Sequence, residues 1–79
     1  MKIKYSKQAY KYLMKLHRPK REQIITAIEK IPTGDIKKLK GYDELYRLRV
    51  SDYRVIFNQD YDIIKIIKIG SRGDIYGNY

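Results

Sequence analysis

Two alternating runs, LYRLRV (45–50) and YRVIFN (53–58), are separated by only Ser51 and Asp52. A connection that short joins antiparallel strands only, so the stretch is predicted to form a tight β-hairpin. If Ser51 and Asp52 form a two-residue turn, Val50 lies opposite Tyr53, Arg49 opposite Arg54 and Leu48 opposite Val55; Ser-Asp is weaker turn chemistry than Asn-Gly, which leaves a register shifted by one open. Leu48, Val50, Tyr53, Val55 and Phe57 share the face that packs on the rest of the protein, and Arg47, Arg49 and Arg54 share the other. Like charges directly opposite one another destabilise a sheet by a few tenths to ~1 kcal/mol. An anion compensates, because guanidinium groups hold phosphate through paired N–H donors and several on one rigid sheet form a pre-arranged clamp.

The segments around the hairpin supply its covering layer. KIKY (2–5) alternates like a short strand. Ser6 is placed to cap a helix whose Ala9, Leu13 and Leu16 form an apolar stripe, with Lys7, Lys11 and Lys15 on another face. Pro19 disfavours helical geometry at Arg18 and suits the first turn of a second helix. Ile24, Ile25, Ile28 and Ile31 lie on one face of that helix, and Pro32 and Gly34 end it. After the hairpin, IIKIIKIG (63–70) is apolar on both faces, as expected of a strand flanked on each side, and is placed beside the N-terminal strand. The expected architecture is α+β: an N-terminal strand, an αα-hairpin, then a three-stranded antiparallel sheet packed on the helices. No repeat, low-complexity tract or linker divides residues 1–79, which are read as one domain.

Charge and cysteine usage narrow the function classes. Eighteen Lys and Arg against nine Asp and Glu leave a net charge of +9 on 79 residues, which makes polyanions the natural partners. With Cys 0 there is no disulfide framework, thiolate nucleophile or thiolate zinc site. The acidic residues are scattered and His17 stands alone in the bend between the helices, without metal-ligand spacing, so no metal and no cofactor is expected. His17 is read as an exposed, inert residue. No apolar run approaches the ~20 residues needed to cross a bilayer, so no membrane association is expected and the cytoplasm is the default compartment.

Arg72 follows the last strand and Tyr76 lies four residues further on, where a short tail can fold back over the arginine face. A tyrosine there offers a ring to stack on a base and a hydroxyl near a phosphate. With these residues, LKGYDELYRLRVSDYRVIF followed by IIKIIKIGSRGDIY resembles the RelE/ParE toxin superfamily, more closely its RelE-like branch, over essentially the whole chain. The resemblance implies the toxin of a type II toxin–antitoxin system, a ribosome-dependent endoribonuclease that cuts mRNA in the A site and is neutralised by a cognate antitoxin.

Carried over by position, the resemblance makes Arg54 the phosphate-holding arginine. Arg72 becomes the cation that stabilises charge and assists the leaving group, and Tyr76 the residue that stacks on the nucleotide and orients the attacking hydroxyl. Arg49 joins this catalytic set, and Arg47, Lys38, Lys40 and Lys68 extend it along the RNA. Arg47 and Arg49 stand where the best-studied nucleases of the branch carry a pair of lysines. Arginine stays protonated, so the proton acceptor is left open among Lys38, Lys40, Asp52, Tyr76 and the ribosome itself. Two other readings stand beside this one: a ParE-like poison that binds DNA gyrase without cutting RNA, and a plain basic RNA-binding protein. The cationic face also invites an acidic antitoxin segment that folds onto the exposed sheet edge or the helix hairpin.

Overall fold

The computed structural model describes residues 2–41 and 44–71. Its elements follow in the order β1 (Lys2–Tyr5), α1 (Lys7–Lys15), α2 (Arg18–Glu29), β2 (Asp35–Lys38), β3 (Tyr46–Val50), β4 (Tyr53–Asp60) and β5 (Ile63–Ser71). All five strands form one sheet in the order β1-β5-β4-β3-β2. The β3–β4 hairpin has the register read from its sequence, with Val50 opposite Tyr53 and Arg49 opposite Arg54. Ser51 at the turn adopts φ 55°, a left-handed conformation that a two-residue hairpin turn demands.

β1 lies beside β5, as expected, and runs parallel to it. The expected three-stranded antiparallel sheet is corrected in extent: β1 joins it on one side and β2, an unexpected antiparallel strand, joins it beside β3, so the sheet is five-stranded and mixed. β2 has no sequence signature of its own, because DIKK is four residues long and mostly charged, with Ile36 its one apolar residue. Gly34 leads into it at φ +127°, and a Cβ there would sit 3.1 Å from Leu48 Cδ1, so the approach of this segment to β3 requires glycine.

Ser6 begins α1 as expected. Its hydroxyl accepts from the Ala9 N–H at 3.1 Å and donates to the Ile67 carbonyl at 2.6 Å, so one side chain caps the helix and ties it to β5. Gln8 repeats the tie two residues on: its Nε2 donates to the Ile69 carbonyl and its Oε1 accepts from the Ile69 N–H, each at 3.0 Å. β1 pairs with β5 only as far as Ile66, so these side chains take over where the parallel strand ends. The break between the helices falls at Leu16 and His17, both extended, and Arg18 is already helical. That is one residue earlier than the proline rule suggested.

One face of the sheet carries the core. Ala9 and Leu13 of α1 and Ile24 and Ile28 of α2 pack against Leu48, Val50, Val55, Phe57, Ile64, Ile66 and Ile69. α1 lies over β5 and β1, and α2 over β3. Tyr5 sits half-buried at the edge, where burial, and secondarily the charge of Glu29, push its phenol above its ordinary pKa. Among the described residues no helix is long and apolar enough to cross a membrane.

Candidate nucleic-acid interface

Strand alternation sends every residue between the core positions to the face away from the helices. The pairing arranges them in rows. One row runs Asp35, Arg49, Arg54, Gly70 across β2, β3, β4 and β5; the next runs Lys37, Arg47, Ile56, Lys68. A third brings Asn58, Lys65 and Lys4 side by side. The register shifts by one residue on β5 between the partners of Ile56 and Phe57, where Ile67 is bulged, and this puts Lys68 on the cationic side while Ile66 stays in the core. Ile56 is fully buried although it faces away from the helices, so the row of long cations stands on an apolar floor.

Arg54 is 7% exposed, the one charged residue among the described buried set. Its Nη1 donates to the Ser51 carbonyl at 3.3 Å and the Tyr53 carbonyl at 3.1 Å, both in its own hairpin turn. Among the described residues no carboxylate lies within ion-pair distance of it. Gly70, opposite Arg54 on β5, brings no side chain to crowd the guanidinium. Arg49 is exposed and makes no ion pair or hydrogen bond among the described residues. Arg47 is held loosely, its Nη1 3.5 Å from both the carboxylate and the carbonyl oxygen of Asp35. Asp35, the cross-strand neighbour of Arg49 on β2, pairs with Arg47 instead, and among the described residues neither Arg49 nor Arg54 has an ion-pair partner.

The other sequence-predicted positions divide. Lys68 falls in the row with Arg47. Lys38 does not join the arginines: its register with Tyr46 sends it to the helix side of β2, and Lys37 takes the place on the cationic face. Lys37 escaped notice because the strand that orients it did. Lys40 is exposed in the connection after β2, and Asp52 is exposed in the hairpin turn. Arg72 and Tyr76 lie outside the described residues. His17 is exposed at the start of α2 and makes no capping hydrogen bond there. Among the described residues no three His, Cys, Asp or Glu side chains cluster as metal ligands.

Chemically, the arrangement can hold an anion such as a phosphodiester. An exposed guanidinium and a buried one face each other across two strands, on a rigid platform with further cations at the next positions.

No family model matches the chain. A 46-residue stretch, 56% of this chain and 51% of the relative, is 48% identical to the putative toxin RelE1 of Methanocaldococcus jannaschii. The chain spans about half the length of the curated relatives it matches. Two solved structures cover far more. The RelB–RelE antitoxin–toxin complex from Methanococcus jannaschii superposes with a TM-score of 0.78 at 29% identity, over 96% of this chain and 98% of that one. The archaeal RelE–RelB complex from Pyrococcus horikoshii gives 0.74 at 32% identity, over 92% and 96%. Shared topology together with identity at that coverage settles the matter of kinship: the chain belongs to the RelE-like toxin family.

Proposed function

We propose that this protein is the toxin of a type II toxin–antitoxin pair and acts as a ribosome-dependent endoribonuclease on mRNA in the A site. The observation that carries the reading is the Arg49–Arg54 pair, two like charges set opposite each other on the helix-free sheet face, with neither guanidinium in an ion pair among the described residues because Asp35, the cross-strand neighbour of Arg49, pairs with Arg47. RNA contains its own nucleophile. The ribose 2′-oxygen attacks the adjacent phosphorus, the bond to the 5′-oxygen breaks, and that oxygen leaves with a proton, giving a 2′,3′-cyclic phosphate and a 5′-hydroxyl. The protein need supply only alignment, charge stabilisation and proton transfer. In this reading Arg54 holds the phosphate from its fixed position in the hairpin and Arg49 closes on it from the surface. Arg72 stabilises the charge that develops, and Tyr76 stacks on the nucleotide. Arg47, Lys37 and Lys68 carry the flanking backbone.

The antitoxin belongs to the same proposal. Both archaeal neighbours are complexes with RelB, and a protein of net charge +9 suits an acidic partner.

Mapping message 5′ ends after brief induction tests the reading. Cuts within codons of translated messages are expected, and Arg54→Ala or Arg72→Ala should lower cleavage on programmed ribosomes by about 10²-fold, the scale of losing one charge-stabilising donor. Tyr76→Phe should lower it less. Near-normal cutting by both arginine variants, each confirmed folded by thermal melt, would remove the assignment. Intact messages with broken DNA would replace it with gyrase poisoning.

A further inference from the structure

The sheet face is not the only cationic surface. On α1, Ala9 and Leu13 point into the core with Tyr12 and Leu16 beside them, which leaves the opposite side to solvent. There the sequence places Lys7, Tyr10, Lys11, Met14 and Lys15, spaced three and four apart and all exposed. The lysines follow one another at steps of roughly 6 Å along the helix axis. None makes an ion pair or hydrogen bond among the described residues. α1 contains no acidic residue anywhere in KQAYKYLMK, so Lys7–Lys11 and Lys11–Lys15 are both like-charge pairs at i,i+4, an arrangement that opposes helix formation. Between them stand two of the large apolar side chains most open to water, Tyr10 at 57% and Met14 at 46%. Helix α2, by contrast, answers its exposed Arg18 with Glu22 at 3.0 Å.

A solvated helix face gains from alternating signs. This one repeats a single sign at every turn and interleaves an aromatic ring, on the side of the molecule away from Arg49 and Arg54. We propose that the outward stripe Lys7, Tyr10, Lys11, Met14 and Lys15 is a second RNA-binding site, which takes the phosphate backbone of a folded, double-stranded RNA segment. Each lysine meets successive phosphates along one strand, and Tyr10 and Met14 lie against the sugars between them. RNA is favoured over an acidic protein segment because Tyr10 and Met14, neighbours at i,i+4, make one small apolar spot flanked by lysines on a convex helix and no groove. A folding-on-binding partner needs a continuous apolar groove to repay its ordering. The two cationic surfaces lie on opposite sides of the molecule, so a duplex on the helix side would not compete for space with a single strand on the sheet side. The inference goes beyond the cleavage reading and stands on different residues.

The test compares the full chain, the combined Lys7→Gln/Lys11→Gln/Lys15→Gln variant and Arg49→Gln for binding to a labelled RNA hairpin and to a labelled single-stranded oligonucleotide over a salt series. The triple variant should bind the hairpin at least roughly tenfold more weakly near physiological salt. Its log–log salt slope should be shallower by about 2 to 3, the signature of three lost phosphate contacts. It should keep single-strand binding within about twofold and melt at the same temperature or slightly above it, since all three positions are exposed and two like-charge i,i+4 pairs are removed. Arg49→Gln should show the reverse preference. Unchanged hairpin affinity and slope in the triple variant would overturn the inference while leaving the sheet-face reading intact. Equal loss of both probes would overturn it too, by showing diffuse charge and no separate site. Retained hairpin binding with lost antitoxin binding would make the stripe a protein surface instead.

Discussion

Arg54 is 7% exposed, and what holds its guanidinium is two carbonyl oxygens of its own turn, with no carboxylate among the described residues. Burying a cation on carbonyl dipoles alone is unfavourable relative to water. Setting Arg49 directly across the strand adds repulsion to the same place. Both costs disappear when an anion occupies the face, which is why the pair reads as a site. The tension makes a prediction with opposite signs. Arg49→Gln should raise the unfolding free energy by about 0.2–1 kcal/mol, seen as a higher urea midpoint at unchanged slope, because it relieves the cross-strand repulsion. The same variant should weaken single-stranded RNA binding. A variant that is destabilised, or that gains stability with undiminished RNA binding, would show that Arg49 serves the fold and not a ligand. This much was legible from eleven letters, since a two-residue turn and strict alternation determine which side chains face one another. Burial of Arg54 was not legible, because it depends on what the turn carbonyls and the neighbouring strand do around it.

At the level of elements, the joints between helix and sheet explain both the success and the gaps of the sequence reading. Ser6 as a cap follows from its residue type and the apolar stripe after it. Its second bond, to Ile67, and the paired bonds of Gln8 to Ile69 span 61 positions and have no local signature. β2 is missed for a related reason: a strand of four residues with one apolar position is specified by its partner β3 and by Gly34, not by its own pattern. Lys38 was chosen over Lys37 for want of that strand. The Gln8 clamp is testable in isolation. Ile69 is completely buried, and its N–H and C=O point away from β4 to the Gln8 amide, so Gln8→Ala orphans one donor and one acceptor. A loss of about 1–3 kcal/mol is expected in urea unfolding, with Gln8→Glu intermediate because it keeps the acceptor. A loss below a few tenths would mean that water replaces the amide freely, and that β5 beyond Ile66 holds its place through β4 alone.

For the whole molecule the governing quantity is a charge of +9 spread over both sides of a single sheet. The ion pairs seen among the described residues, Arg18–Glu22, Arg47–Asp35 and Lys65–Asp60, lie on the surface at 3.0 to 3.8 Å, where such pairs contribute little. The uncompensated cations repel one another across the body, and the repulsion is screened once the Debye length falls to ~8 Å near physiological salt. Sodium chloride should therefore raise the thermal midpoint while it weakens RNA binding, so stability and function respond to salt with opposite sign. Screening alone makes all anions equivalent at matched ionic strength. An organised site does not, because a ligand that binds only the folded state adds RT ln(1 + [L]/Kd), about 1.4 kcal/mol at tenfold over Kd. Inorganic phosphate should accordingly stabilise the protein more than chloride at the same ionic strength, and Arg49→Gln should remove most of that excess while leaving the chloride response in place. Coincident phosphate and chloride curves for the unaltered protein would mean that the guanidiniums act as a diffuse field, and the clamp on which the proposed chemistry rests would be lost with them.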